Sequence, residues 1–286
     1  MMLVATFCFT AMHALIRLTT AEIHPFVVAF YRNLFGLLVL VPILVRAGPG
    51  VFRTTKLHLH GARAALQMSA MLSFFYALSI MPLAEVAALA FSSPLFVTVI
   101  AILILGEVIR IRRIAALAAG IAGTLIIVRP GIGSVDPGAL AVLGSSAAWG
   151  SALIIIKVAS RTDSSLTITA YMAILVTPMA LIPALFFWSV PDLATLGWFA
   201  LLGAFGTAGH FCMAQALKEA DATTVMPFDF TRLIWASVLG VLIFGEYPDL
   251  WTWVGGSVIF ASTVYIAYRE TQVKREPPLT SGPVET

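Results

Sequence analysis

The sequence predicts an all-α integral membrane protein: ten transmembrane helices arranged as two inverted five-helix repeats. Three observations predict it. The 286-residue chain is 60% hydrophobic and only 11% charged, with a mean hydropathy of +0.97, far outside the range of a soluble domain. Nearly all of it falls into apolar runs of roughly 20 residues, the length that crosses about 30 Å of hydrocarbon. The runs also repeat. Leu105-Gly106-Glu107 closes the span beginning near Ala84 as Phe244-Gly245-Glu246 closes the one beginning near Ala222, an offset of 139 residues that also sets Ala77 on Ala216, Phe91 on Phe230 and Ser93 on Arg232. Tyr31 on Tyr171 and Arg17 on Lys157 repeat at an offset of 140.

The spans lie near residues 2–17, 25–46, 63–81, 84–105 and 114–129 in the first repeat, and 137–157, 167–188, 194–217, 222–244 and 250–268 in the second. The first span is short enough to be read as a signal peptide, but it matches 137–157 in the repeat and no small-residue cleavage site follows it, so it is expected to be a structural helix. His24-Pro25 starts the second span, and Ala47-Gly48-Pro49-Gly50 ends it. Met81-Pro82, Arg129-Pro130-Gly131, Pro137-Gly138, Val190-Pro191 and Tyr247-Pro248 punctuate the later ones in the same way. Domain limits follow at 1–131 and 132–268, with a polar tail, 269–286, expected to be disordered and cytoplasmic.

Charge sets the orientation. Of the 17 lysines and arginines, Arg17 and Arg129 fall at one end of the bundle, Arg32 and Arg232 lie within spans, and all the others fall at the opposite end. The positive-inside rule then puts the N- and C-termini in the cytoplasm of a multi-pass inner-membrane protein. Each repeat has an odd number of spans, so the second copy enters the bilayer from the opposite side to the first. Inverted repeats of this kind place a substrate site near the midplane and reach it by alternating access.

Several motifs carry a family resemblance. Phe74-Phe75-Tyr76-Ala77-Leu78, Met81-Pro82-Leu83-Ala84, Ser92-Ser93-Pro94-Leu95-Phe96, Leu105-Gly106-Glu107, and Gly123 before Leu125-Ile126-Ile127 resemble the EamA repeat of the drug/metabolite transporter superfamily. The second copy keeps Ala216-Leu217 and Gly245-Glu246 but has Phe230-Thr231-Arg232-Leu233 in place of Phe91-Ser92-Ser93-Pro94. The resemblance implies export or uptake of small metabolites. Amino-acid export is the first expectation, and uptake of S-adenosylmethionine or riboflavin is the alternative.

Asp229 and Arg232 are three residues apart on one helical face in the ninth span. A charge at a membrane helix centre costs about 2.5–3.5 kcal/mol, so the pair either neutralises itself or faces a cavity and meets a substrate's ammonium and carboxylate. Thr6, Thr10, His13 and Arg17 form a polar stripe on the first span, echoed by Ser146, Gly150 and Lys157 on the sixth. His13 is either a cavity residue or a packed, hydrogen-bonded one. Gln67, Ser69, Ser73 and Tyr76 on the third span and His210, Met213 and Gln215 on the eighth, with Trp149 on the sixth, suggest an apolar pocket with a few orienting groups.

Ser92, Ser93 and Pro94 interrupt the fourth span, either as a hinge or binding carbonyl or as ordinary curvature. The substrate-binding set is therefore Thr10, His13, Gln67, Tyr76, Ser92, Ser93, Trp149, His210, Gln215, Asp229 and Arg232. Arg32, about 10 Å from the end of its span at about 1.5 Å per residue, reaches either the interface or the interior. Glu85 is either a titrating gate or a first-turn carboxylate that complements the helix dipole. Glu107 and Glu246 are expected to hold structure, with Gly106 and Gly245 supplying the turn.

No HExxH, CxxC or GxSxG motif points to an enzyme, and Gly203, Gly206 and Gly209 lie in a membrane span at packing spacing, with no strand before them to make a nucleotide loop. Cys8 and Cys212 sit inside spans and make no disulfide framework. No cofactor, metal or nucleic-acid partner is expected. The expected partners are a small-molecule substrate and the lipid bilayer, with monomer and homodimer both open. A non-transporting membrane scaffold is the remote alternative, against which the polar stripe and the intramembrane pair both count.

Overall fold

A computed structural model describes residues 1–105, 111–129, 136–159, 162–219 and 226–275. Every regular element among the described residues is helical. In order these are α1 (Met2–Thr19), α2 (Pro25–Ala47), a 3₁₀ turn (Pro49–Phe52), α3 (Leu57–Ile80), α4 (Leu83–Ala90), α5 (Ser93–Leu105), α6 (Ile111–Val128), α7 (Pro137–Ala159), α8 (Ser165–Leu185) and α9 (Leu193–Glu219). A 3₁₀ segment (Met226–Phe230), α10 (Thr231–Leu239), a π turn (Gly240–Phe244) and α11 (Leu250–Arg275) complete the chain. Five segments, Met2–Thr19, Pro25–Ala47, Leu83–Ile100, Pro137–Ile156 and Leu166–Leu185, are long and apolar enough to cross a membrane, and shorter apolar helices lie at Ile114–Val128, Leu193–Gly209 and Leu250–Ile266.

Local chemistry sets the helix ends. His24 caps α2 by accepting from the Phe26 amide, with Pro25 at the first helical position. Ser164 accepts from the Thr167 amide at the start of α8. Gly245 closes the π turn at φ 67°, where a side chain would be strained; its amide donates to the Val241 carbonyl and the next amide, of Glu246, reaches the Gly240 carbonyl.

Three boundaries differ from the sequence reading. α3 begins at Leu57, six residues ahead of the expected start, because polar residues from His58 to Arg63 can be helical at the membrane's edge even though they lower its hydropathy. The ninth span is a composite of 3₁₀, α and π geometry. The tail expected to be disordered from residue 269 continues α11 as far as Arg275, and 276–286 lie outside the described residues.

Helix packing follows the repeat. α3 packs on α7 as α1 packs on α9, and α3 on α8 as α2 on α9, while α2–α8, α6–α11 and α4–α10 join equivalent helices of the two halves. Side chains repeat the relation: Tyr31 stacks on Phe199 at 4.8 Å, and Tyr171, its counterpart, stacks on His60 at 4.7 Å. α6 and α11 cross closely through glycine, since a Cβ on Gly255 would lie 2.6 Å from the Gly123 carbonyl. The break between α4 and α5 at Phe91–Ser92 faces the junction at Phe230, and the two phenylalanine rings stack at 5.8 Å beside Phe260.

Candidate functional site

The charged residues of the ninth span meet the polar stripe of α1. Arg232, in the first turn of α10, holds Asp229 at 2.9 Å between its Nη2 and the carboxylate Oδ1. Both side chains are about one-quarter exposed. The guanidinium lies over the Phe9 ring of α1 at 5.0 Å, a cation–π contact that screens one face of the charge from hydrocarbon. Thr6 and Thr231 approach to 2.8 Å between hydroxyls, tying the same two helices together.

His13, one turn beyond Phe9, packs edge-on to Phe74 of α3 at 5.0 Å. Arg32 faces inward, since its guanidinium and the Met12 thioether of α1 both lie against Gly206 of α9. Its Nη1 donates to the Asn33 amide oxygen at 3.3 Å, and its Nη2 would lie 3.6 Å from a Cβ at Gly206 of α9. Gly203 and Gly209 continue that glycine face, receiving Phe35 of α2 and the Phe9 ring at 3.2 and 3.0 Å from a hypothetical Cβ. The three glycines thus serve packing, and they open the notch in which Arg32 sits.

The other expected site residues are distributed unevenly. Thr10 is buried and spends its hydroxyl proton on the Thr6 carbonyl at 2.8 Å. Gln67 shares the inward face of α3 with Phe74, and its Oε1 is buried with no hydrogen-bond partner among the described residues. Tyr76 lies on the opposite, exposed face of α3, away from His13, because two residues turn a helix by about 200°. Ser92 is buried at the α4–α5 break with an unpartnered hydroxyl, and Ser93 donates to the Ser146 carbonyl of α7 at 3.4 Å. Trp149 is half-buried on α7, against which α5 packs. His210 and Gln215 lie on α9 with side chains outside the described residues.

Sequence reasoning missed Phe9, Thr231 and Met12, whose sulfur lies beside Gly206 and Arg32, as members of this cluster, although Phe9 sits within the polar stripe that flagged its neighbours. It left Arg32 undecided.

At one end of the bundle, Arg17 pairs with Glu246, reaches the Leu78 carbonyl at 3.4 Å and lies over the Phe244 ring. Glu246 also accepts from the Leu83 amide at 3.3 Å, capping α4. Arg129 pairs with Asp249 nearby. At the other end, Asp163 accepts from Thr54 at 2.7 Å and lies 2.7 Å from His60 Nε2, joining α3 to the turn before α8. Those hydrogen bonds, Thr54's first and then that of His60, hold the Asp163 carboxyl below the usual carboxylate range. Glu107 lies outside the described residues. A separate cavity of about 180 Å³ between α1, α9 and α10 is lined by apolar residues such as Leu15, Trp198 and Phe205, with nothing to orient a polar solute.

The EamA-like transporter family matches residues 1–129 and again residues 136–268. The chain belongs to that family. It is 29% identical over 249 residues to an S-adenosylmethionine uptake transporter of Rickettsia bellii, covering 87% of this chain and 86% of that one. It is 31% identical over 253 residues to a riboflavin transporter of Rhizobium johnstonii (87% and 83%), and 29% identical over 265 residues to one of Brucella anthropi (90% and 93%). A solved crystal structure superposes with a TM-score of 0.58 at 20% identity, covering 93% of this chain and 98% of that one, a likeness of fold alone. The chain is a multi-pass inner-membrane transporter.

Proposed function

We propose that the protein is a secondary transporter that takes up a small ring-bearing metabolite such as S-adenosylmethionine, riboflavin or a related compound by alternating access. The observation that carries this reading is the inward-facing cluster at the middle of the bundle: the Asp229–Arg232 pair, Arg32 and His13 beside the Phe9 and Phe74 rings. Aromatic faces suit a planar heterocycle, and the few charged groups suit the orienting role that polar residues take in ligand sites.

The architecture proposed is ten spans in two inverted halves, 1–131 and 132–268, with both termini cytoplasmic. Its support is the mirrored packing of α1–α9 with α3–α7 and the meeting of two broken helices at Phe91 and Phe230. Broken helices at a repeat interface are where inverted-repeat transporters bind their cargo. Amino-acid export is the second reading, favoured by the opposed charges of Asp229 and Arg232, which match a zwitterion.

The test is uptake into proteoliposomes across a panel of S-adenosylmethionine, riboflavin and amino acids, with and without a pH gradient. Uptake of S-adenosylmethionine or riboflavin supports the first reading. Movement of amino acids alone overturns it in favour of the second, and movement of nothing in the panel overturns both.

A further inference from the structure

We infer that Arg32 is a second substrate anchor and that the site takes a molecule carrying a single carboxylate. The inference rests on the transport reading above and narrows its substrate class.

Four other arginines have acceptors or counter-charges: Arg17 pairs with Glu246, Arg129 with Asp249 and Arg232 with Asp229, while Arg63 donates to the Ile168 carbonyl at 2.7 Å. Arg32 has no carboxylate partner among the described residues. Among the described residues its one hydrogen bond goes to the Asn33 amide, a neutral acceptor whose own Nδ2 is committed to the Ala29 carbonyl at 2.7 Å. A guanidinium presents five N–H donors, so most of the Arg32 fork is left over. Arg232 also keeps a buried Nε without a hydrogen-bond partner among the described residues.

Charge balance agrees. Among the described residues the cluster holds two positive side chains, Arg32 and Arg232, and one negative, Asp229. One carboxylate group set against Arg32 offsets the positive charge that Asp229 leaves over, whatever cationic groups the rest of the molecule carries, whereas a dianionic phosphate overshoots it. The planar fork that binds a carboxylate through two parallel hydrogen bonds is the chemistry an unpaired arginine offers.

The internal repeat supplies an independent argument. Residues that hold the scaffold occur in both halves, as the Tyr31–Phe199 and Tyr171–His60 stacks do. Aligned on that tyrosine pair, Arg32 corresponds to Met172, and aligned on the Gly-Glu pair, 139 residues apart, Arg232 corresponds to Ser93. The fold is built at the matching positions without a charge, so the scaffold requires neither arginine. Gly206 contributes no side chain of its own beside the Arg32 guanidinium, where the Met12 sulfur also packs.

The experiment compares acids with their decarboxylated partners in proteoliposomes: S-adenosylmethionine with decarboxylated S-adenosylmethionine, and L-tryptophan with tryptamine, with uncharged riboflavin alongside. The wild type should take up the acid of at least one pair with an apparent affinity about tenfold or more above that of its partner, the scale of a charge-assisted hydrogen bond. Arg32→Gln should close that gap by lowering the acid's affinity more than its partner's. Arg32→Lys should keep part of it, and it decides the matter if Arg32→Gln does not give monodisperse protein, because a gap as wide as the wild type's in the lysine variant overturns the inference. Preference for riboflavin, equal handling of acid and partner, or an undiminished gap in Arg32→Gln also overturns it, while transport itself stands. If the wild type moves none of these compounds, the transport reading fails and takes this inference with it.

Discussion

Glu246 is shared between two partners in the first half, the Arg17 guanidinium and the Leu83 amide at the start of α4. Its side chain and that of Arg17 are 23% and 16% exposed, so the pair lies between the surface and buried limits and its loss should cost about 1–3 kcal/mol. Glu246→Gln should therefore lower the melting temperature and leave apparent substrate affinity within a few-fold; a large affinity loss at unchanged melting temperature would move Glu246 into the substrate site. Arg232→Ala should abolish uptake while the protein remains folded, and Arg232→Lys should restore only part of it, because an ammonium cannot reproduce the fork. Retained uptake in Arg232→Ala, measured on protein that elutes normally, would leave the Asp229 pair a purely structural role. The structural role of Glu246 was legible in the sequence from its place at a helix end after Gly245. The side on which Arg32 faces was not, because it depends on which helix lies opposite. The glycine notch that admits it is formed by a helix some 170 residues further along.

At the scale of elements, the Pro94 region announced the break between α4 and α5, since proline lacks the N–H that would continue the ladder. The composite ninth span carried no such signal. Its π turn is fixed by the reach of the Glu246 amide to the Gly240 carbonyl, a bond seen only once the chain is folded. Tyr76 is expected in the pocket with Gln67 and Ser73, but the helical turn carries it to the exposed face. The α6–α11 crossing leads to a test: Gly255→Leu should sharply reduce folded yield, because its Cβ would meet the Gly123 carbonyl backbone, which cannot move aside as a side chain can. A variant with wild-type melting temperature and yield would show that the two helices separate freely.

The link between α3 and α8 has a pH signature. The Asp163 carboxyl, held below its ordinary value by Thr54 and His60, contributes stability that is fully present above the unfolded value of about 3.9 and is lost as pH falls through the depressed folded value. Melting temperatures of wild type and Asp163→Asn should therefore differ most near neutrality and converge below about pH 3.9. A difference that widens with acid would contradict the assignment.

At the scale of the whole molecule, the two halves are legible twice over, in the 139-residue offset and in the family matches at 1–129 and 136–268. Orientation rests on charge alone, and the fold sharpens the sites at which to test it. Thr55 is exposed beside the His60–Asp163 end, where nearly all the basic residues collect, and Glu22 is exposed beyond Arg17 at the other end. The native cysteines do not interfere greatly, since Cys8 is buried and Cys212 partly buried within helices, and both can be replaced by alanine for the background. In intact cells an impermeant thiol reagent should then label Glu22→Cys and leave Thr55→Cys unlabelled until the membrane is opened. The reverse pattern would invert the protein in the bilayer and put the Arg17–Glu246 pair on the cytoplasmic side. With the expected orientation, that pair joins α1 to the end of the ninth span on the outer side, across the two halves, and it must open for cargo to enter from outside. Glu246→Gln then carries a second expectation: by loosening the outer contact it should raise the labelling rate of a cysteine placed at Thr20, one helical turn from Arg17, relative to the same cysteine in the otherwise unchanged background. An unchanged rate would mean that the ion pair is not what holds that end closed.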